Sequence, residues 1–396
     1  MAHLLAIDEA RRRVLDAVRP LGDEDVPLDS APGRVLAESL RSDIDVPPFT
    51  SSAMDGFALI AGPAAALRVI GESRAGHPAD VSVEPGTAVR ISTGAAVPEG
   101  ATAVVPVERT EPAGQDGLVR VPETTAGQHL RMPGEDIAAG VLVCEPGTRL
   151  GPAEVGAAAA LGRSSVRCAR RPRVVLLVTG DELTDPGEPL GPGGIYSSNG
   201  YALAAQVERV GGALVRREGV RDSAEETRAA LDAALADADV VIVSGGVSVG
   251  PHDHVKDSLR ALGVEERFWG VRLKPGKPTW FGVRDRVLAF GLPGNPVSAM
   301  VTFQLFARPA LAAMQGASPD AARGSAVLDH DVPRNRNRDE AVRVRLSGAG
   351  DGWHAVSTGD QGSHMLTSMV GADALALIAS GEGELAAGSR VEVELL

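Results

Sequence analysis

A chain of 396 residues with 44% hydrophobic content can bury several cores, which points to two to four domains. Its 39 basic and 52 acidic residues leave a formal charge of −13 and only 3% of residues are aromatic, so polynucleotide binding lacks both its electrostatic footprint and a stacking platform. Cys144 and Cys168, without a C-x-x-C, give neither a disulfide framework nor a thiolate zinc site; no apolar run approaches the roughly 18 residues of a membrane helix and no signal-peptide core is present, so a cytoplasmic protein with no membrane and no nucleic-acid partner is expected.

Along residues 4–19, Ile7, Val14, Leu15 and Val18 fall near helical spacing, and Pro20 with Gly22 ends that helix. Residues 27–140 are rich in Gly and Pro and carry short alternating runs at 87–92, 103–107 and 118–121, which read as a small β-rich domain. A helix-like stretch at 152–161 is expected to pack back on the first helix, so that residues 1–26 and 141–172 form one discontinuous, helical connecting domain. Residues 173–318 then alternate: strand 174–178, helix 199–210, strand 214–216, helix 224–236 opened by the capping box of Ser223 and Glu226, strand 240–243 and helix 253–262. That alternation predicts a doubly wound α/β domain, with Pro309 kinking its last helix. In residues 319–396 the period-two segments Val342-Val344-Leu346 and Val391-Val393-Leu395 predict a small β-barrel. The fold class is α/β plus β, multidomain.

Four segments carry chemistry. Ser244-Gly245-Gly246-Val247-Ser248-Val249-Gly250 follows the apolar run Val240-Val241-Ile242-Val243, and small residues there let backbone N–H groups reach an anion while Asp253 can hold a cation or water. Thr179-Gly180-Asp181-Glu182-Leu183, Lys274-Pro275-Gly276-Lys277-Pro278 and the stretch Gly291-Leu292-Pro293-Gly294-Asn295-Pro296 each border a strand-like run (174–178, 268–273, 287–290), which puts all four on one edge of one sheet. Asn295 as N-cap and Pro296 at the first helical position present helix 297–307 by its positive end, and Lys274 and Lys277 supply local cations, so an anion is expected. His252 and His254 read as solvent-facing, two ligands being too few for a metal. The P-loop and G-x-G-x-x-G patterns are absent.

Taken in order, Ser52-Ala53-Met54-Asp55-Gly56 behind Pro47-Pro48-Phe49, the four segments above and Gln361-Gly362-Ser363-His364 resemble the molybdopterin molybdenumtransferases (MoeA), the family of the gephyrin E domain, over essentially the whole chain. The resemblance implies a four-domain subunit with a molybdopterin-binding α/β domain, assembled as a homodimer. It also implies insertion of molybdate into adenylylated molybdopterin with release of AMP and with Mg2+ as cofactor, and it suggests molybdopterin adenylyltransferase and apo-molybdoenzymes as partners. It assigns catalytic roles to Asp55, Glu182, Asp253, Lys274 and Lys277, and metal ligation to Glu182, Asp222 and Asp253. Substrate binding falls to Thr93, Asp136, Gly180, Asp222, Ser244, Gly245, Gly246, Ser248, Pro278, Gly294, Asn295, Arg343 and Ser363. The competing class is a carrier that binds molybdopterin without turnover; a third reading, an adenylyltransferase, ranks last because that enzyme is shorter and lacks the Lys274–Pro278 segment.

Overall fold

The computed structural model describes residues 4–114, 117–248 and 253–396; Val249, Gly250, Pro251 and His252, part of the glycine-rich segment and its histidine pair, lie outside them. The first helix, α1 (Ile7–Ala17), buries Ile7, Ala10, Arg11 and Val14 on one face, the three-and-four spacing that a single docking surface requires. It does not pack on the second helix, α2 (Pro152–Ala160), as expected. Instead α2 sits over the short turn Leu28–Ser30 and shares a small core with Val26, Leu36 and Val166, while α1 joins the core of the α/β domain. The strands Asp23–Pro27 and Ser165–Ala169 pair antiparallel and bring the two ends of the connecting region together around the insert.

What draws α1 away is the last helix of the α/β domain. That helix runs without a break from Pro296 to Met314, with a widened π turn at Phe303–Ala307 before Pro309, so the proline does not end it. Pro309 has no N–H to offer the Leu305 carbonyl four residues back. The buried Arg11 of α1 donates Nε to that carbonyl at 3.1 Å and Nη2 to Glu394 at 2.8 Å, tying the first helix to the α/β domain and to the C-terminal strands at once. At 19 residues the helix is also long and apolar enough to cross a membrane, which corrects the expectation that no run approaches that length; 83% of it is buried inside the protein, as befits a core helix.

In the insert, six strands form one mixed sheet, with Gly56–Leu59 between Thr87–Ile91 and Ala103–Pro106. The α/β domain has four parallel strands in the order Ala213–Val220, Arg173–Thr179, Val240–Ser244, Val287–Leu292, continued by the antiparallel pair Trp280–Arg284 and Glu265–Trp269. Val240–Ser244 is buried at every position because it is paired on both sides and covered on both faces. Helix α3 (Asn199–Arg209) and the Pro296–Met314 helix cover one face; α4 (Ala224–Asp237) and α5 (Val255–Ala261) cover the other. We number the Pro296–Met314 helix α6.

One segment departs from the expected sheet edge. After Glu265–Trp269 the chain turns at Gly270 (φ +92°), and Leu273–Lys274 pairs in parallel with Asp339–Glu340 of the C-terminal domain. The Lys274–Pro278 loop therefore bridges the α/β domain and the C-terminal domain instead of sharing the sheet edge with the other three loops. The C-terminal strands Arg323–Leu328, Asp339–Ala349, Gly352–Ser357, Ala374–Ile378 and Arg390–Leu395 close into a five-stranded barrel through the pairing of Asp339–Ala349 with Ala374–Ile378. Val342, Val344, Val391 and Val393 point into it, as the alternation predicts. The pattern breaks at the last step, where Glu394 is fully buried and Leu395 is exposed, because Glu394 is held by Arg11 and lies 3.7 Å from Arg323.

On the barrel surface His354 bridges Asp329 (2.5 Å) and Asp351 (2.9 Å) through its two ring nitrogens. Both carboxylates favour the imidazolium, and hydrogen bonding to Asp329 is the larger cause of a raised pKa. A raised folded-state pKa means that this clamp stabilises the barrel fully below the ordinary histidine value of about 6.5 and loses that contribution as pH rises through the raised value. An NMR titration of the His354 ring is expected to give a midpoint above about 6.5; a midpoint at or below it would show the clamp to be absent in solution.

Candidate active site

A cleft of about 640 Å³ lies at the C-terminal ends of the parallel strands, where a doubly wound sheet binds its ligands. Its floor is the turn after Val240–Ser244. Gly245 (φ +100°) and Gly246 (φ +63°) adopt backbone conformations unfavourable to other residues, and a Cβ on Gly245 would stand 2.6 Å from Thr179 Oγ1. That Thr179 hydroxyl is itself buried and, among the described residues, without a hydrogen-bond partner at the edge of the cleft. Glu182 folds back over Gly180, its Oε2 only 2.6 Å from where a Cβ there would lie, and Asp181 accepts the Asp222 N–H at 3.1 Å, which locks the two acidic loops together. Asp253 and Ser248 line the same cleft, as do Pro278 and Gly294.

Asn199 holds this floor in place, and sequence reading missed it. Placed at the start of α3, it could have been taken only as a helix-start residue, yet its buried side chain donates to Ser244 Oγ (2.9 Å) and to the Gly294 carbonyl (2.7 Å). It thereby joins the ends of two parallel strands. Asn199→Ala leaves both acceptors without their donor and is expected to cost about 1–3 kcal/mol. Chemical denaturation checks this, and an unchanged midpoint would mean that the two loops hold each other without it.

At the N-terminus of α6 the structure redistributes the expected donors. Asn295 does not cap its own helix; its Nδ2 donates to Ser363 Oγ at 3.0 Å, while the Val297 N–H goes to the Ser363 carbonyl at 3.2 Å. The positive helix end is thus spent partly on docking the 361–363 loop of the C-terminal domain. A second cleft of about 500 Å³ opens between that loop and Lys274–Pro278, and it shares Pro278 and Asn295 with the first. Lys274 is paired with Glu340 at 2.6 Å, so its charge is already answered. Lys277 and Arg338, which the sequence gave no reason to single out, line the second cleft without an ion pair among the described residues.

Arg343 does not face either cleft. It is 1% exposed, and its guanidinium donates to Ser368 Oγ (3.1 Å) and to the Ala341 and Gly362 carbonyls (3.3 Å each). Desolvation lowers its pKa to about 10. Arg343 thus props the loop that carries Ser363. Asp55, Thr93 and Asp136 lie apart, in the β-rich insert, and line neither cleft of their own chain. Asp55 accepts from the Thr93 N–H (2.6 Å) and Oγ1 (3.0 Å), the backbone bond being the larger cause of its lowered pKa. Asp136 lies in a turn with its N–H on the Val46 carbonyl.

Comparison with known proteins decides what this arrangement belongs to. Residues 5–162 match the MoeA N-terminal region (domain I and II), residues 175–313 the probable molybdopterin binding domain, and residues 325–396 the MoeA C-terminal region (domain IV). Molybdopterin molybdenumtransferase 2 of Mycobacterium tuberculosis is 38% identical, with 98% of each chain covered; the molybdopterin molybdenumtransferase of Haemophilus influenzae is 35% identical, covering 99% of this chain and 98% of its own. This chain belongs to the molybdopterin molybdenumtransferases. The crystal structure of a molybdopterin biosynthesis MoeA protein from Pyrococcus horikoshii superposes with a TM-score of 0.83 at 29% identity over 100% of both chains.

The two joined clefts differ in what lines them. Carboxylates, glycine turns and the Thr179 hydroxyl line one; Lys274, Lys277, Arg338 and Ser363, with the single carboxylate of Asp360 among the described residues, line the other. Among the described residues, no three His, Cys, Asp or Glu side chains converge closely enough to cage a metal ion, so Glu182, Asp222 and Asp253 do not form a closed three-carboxylate site. They do fit the way Mg2+ is usually held, by one or two carboxylates together with substrate phosphates and water.

Proposed function

We propose that the chain inserts molybdate into adenylylated molybdopterin and releases AMP, with the phosphoanhydride over the glycine turns and the molybdate beside Lys277 and Arg338. The observation that carries this reading is the continuity of the two clefts through Pro278 and Asn295, which sets a cationic pocket against a carboxylate-lined one. The Gly245 and Gly246 turn lets backbone approach the phosphates closely, and the orphaned Thr179 hydroxyl gains a partner when they are bound. Lys277 and Arg338 orient the oxyanion, and Asn199 keeps the floor rigid while the anhydride is cleaved. Mg2+ held by Glu182, Asp222 or Asp253 would neutralise the phosphate oxygens.

The reading includes a cytoplasmic homodimer in which the Asp55–Thr93 loop of one subunit completes the clefts of the other, since that loop serves neither cleft within its own chain. Molybdopterin adenylyltransferase then supplies the substrate and apo-molybdoenzymes take the product. The test is AMP release from adenylylated molybdopterin: it is expected only with molybdate and Mg2+ both present. Tight pterin binding without AMP release under those conditions would make the protein a carrier.

A further inference from the structure

A third cavity, of about 540 Å³, opens between α3, the second half of α6 and the last residues of the chain. Three guanidinium groups line it, Arg149, Arg209 and Arg308, against a single side-chain carboxylate, Asp320. None of the three forms an ion pair with a side-chain carboxylate among the described residues. Arg149 spends donors on the Gly33 and Val210 carbonyls and Arg308 on that of Pro319, while Arg209 donates to the carboxyl oxygen of Leu396. Donor capacity is left over, because the Arg308 Nε is buried without a partner among the described residues, and so is the Gln206 Oε1 acceptor on the same wall. Desolvation lowers the pKa of Arg149 and of Arg308; at Arg308 the Glu394 and Asp320 carboxylates oppose it, and Arg149 adds a smaller like-charge effect. In a chain of net charge −13, clustered guanidinium groups that outnumber the carboxylates beside them, with a buried N–H left over, are a costly arrangement that a bound anion would relieve. Met300, Phe303, Ala312 and Met369 make the rest of the wall apolar.

We propose that this cavity binds a phosphomonoester carried on an apolar or aromatic body. The surplus of guanidinium groups matches an anion, and their planar forks match phosphate oxygens. The Gln206 acceptor takes a ligand O–H or N–H beside the phosphate, the apolar wall takes the body, and the volume suits a small organic molecule. The site is separate from the clefts but joined to them. α3 and α6 start at the first cleft with Asn199 and Pro296 and line this cavity with Gln206 and Phe303 about two helical turns further on, roughly 10 Å away.

Isothermal titration of the full chain with phenyl phosphate tests this, with phenol and inorganic phosphate as parallel arms. Phenyl phosphate is expected to bind once per chain and phenol not at all, with inorganic phosphate about tenfold weaker for want of the apolar contact. Arg209→Gln and Arg149→Gln are each expected to weaken phenyl phosphate about tenfold, as for one lost charge-assisted contact, with melting curves confirming the fold. Lys277→Glu is expected to leave its affinity unchanged. Absence of binding, equal affinity for inorganic phosphate, or loss in Lys277→Glu with retention in both arginine variants would overturn the assignment.

Discussion

Lys277→Glu is expected to remove the dependence of AMP release on molybdate, whereas Lys274→Gln keeps most of it. The two lysines share one loop, but Lys274 is already paired with Glu340 at 2.6 Å while Lys277 faces the cleft beside Arg338 without an ion pair among the described residues. Reversing a charge that holds a desolvated anion costs about 2–5 kcal/mol, or roughly 30-fold or more in the apparent affinity for molybdate. Raised ionic strength should weaken the wild type in the same direction through screening. Initial-rate titrations of molybdate against both variants check this; equal losses in the two would mean that the Lys274–Glu340 pair opens on binding and both lysines clamp the oxyanion.

Asp55→Ala and Asp253→Ala are each expected to abolish turnover alone and to restore it together. Asp55 sits with Thr93 in the insert and lines neither cleft of its own chain, whereas Asp253 lines the first cleft. If the insert of one subunit completes the cleft of its partner, a mixed dimer carries one intact site and one doubly defective site. Random mixing makes about half of all dimers mixed, so roughly a quarter of wild-type activity returns under twofold symmetry. No recovery, with mixed dimers verified by mass spectrometry, would place Asp55 outside the reaction or within its own subunit's site.

How much of this was legible in the sequence depended on the range of the interaction. Buried parallel strands announce themselves by composition, which is why Val240–Ser244 and the glycine turn behind it were readable, and alternation gave away the barrel strands. The failures share a cause: a partner remote in the chain overrode the local pattern. Glu394 breaks the alternation because Arg11 reaches it from the first helix. Pro309, locally a helix breaker, is tolerated because a π turn precedes it and Arg11 serves the Leu305 carbonyl. Leu273–Lys274 left the expected sheet because Asp339–Glu340 offered it a ladder. Within the site the same rule holds. Motif residues were found because small and charged residues cluster in loops, while Asn199 and Arg338 were missed because their meaning lies in Ser244, Gly294 and the second cleft. Arg343 was singled out, but for substrate contact; its burial under Gly362 makes it a support.

On the proposed reading the oxyanion lodges between the Lys274–Pro278 loop and the 361–363 loop, next to the carboxylate-lined cleft. Anomalous diffraction at the molybdenum absorption edge, from crystals of the protein soaked in molybdate, reads its position directly. One molybdenum peak per chain is expected within hydrogen-bonding reach of Lys277, with Arg338 and Ser363 bordering it, and no such peak in crystals of Lys277→Glu; a peak elsewhere in the wild type, with that cleft empty, would overturn the placement.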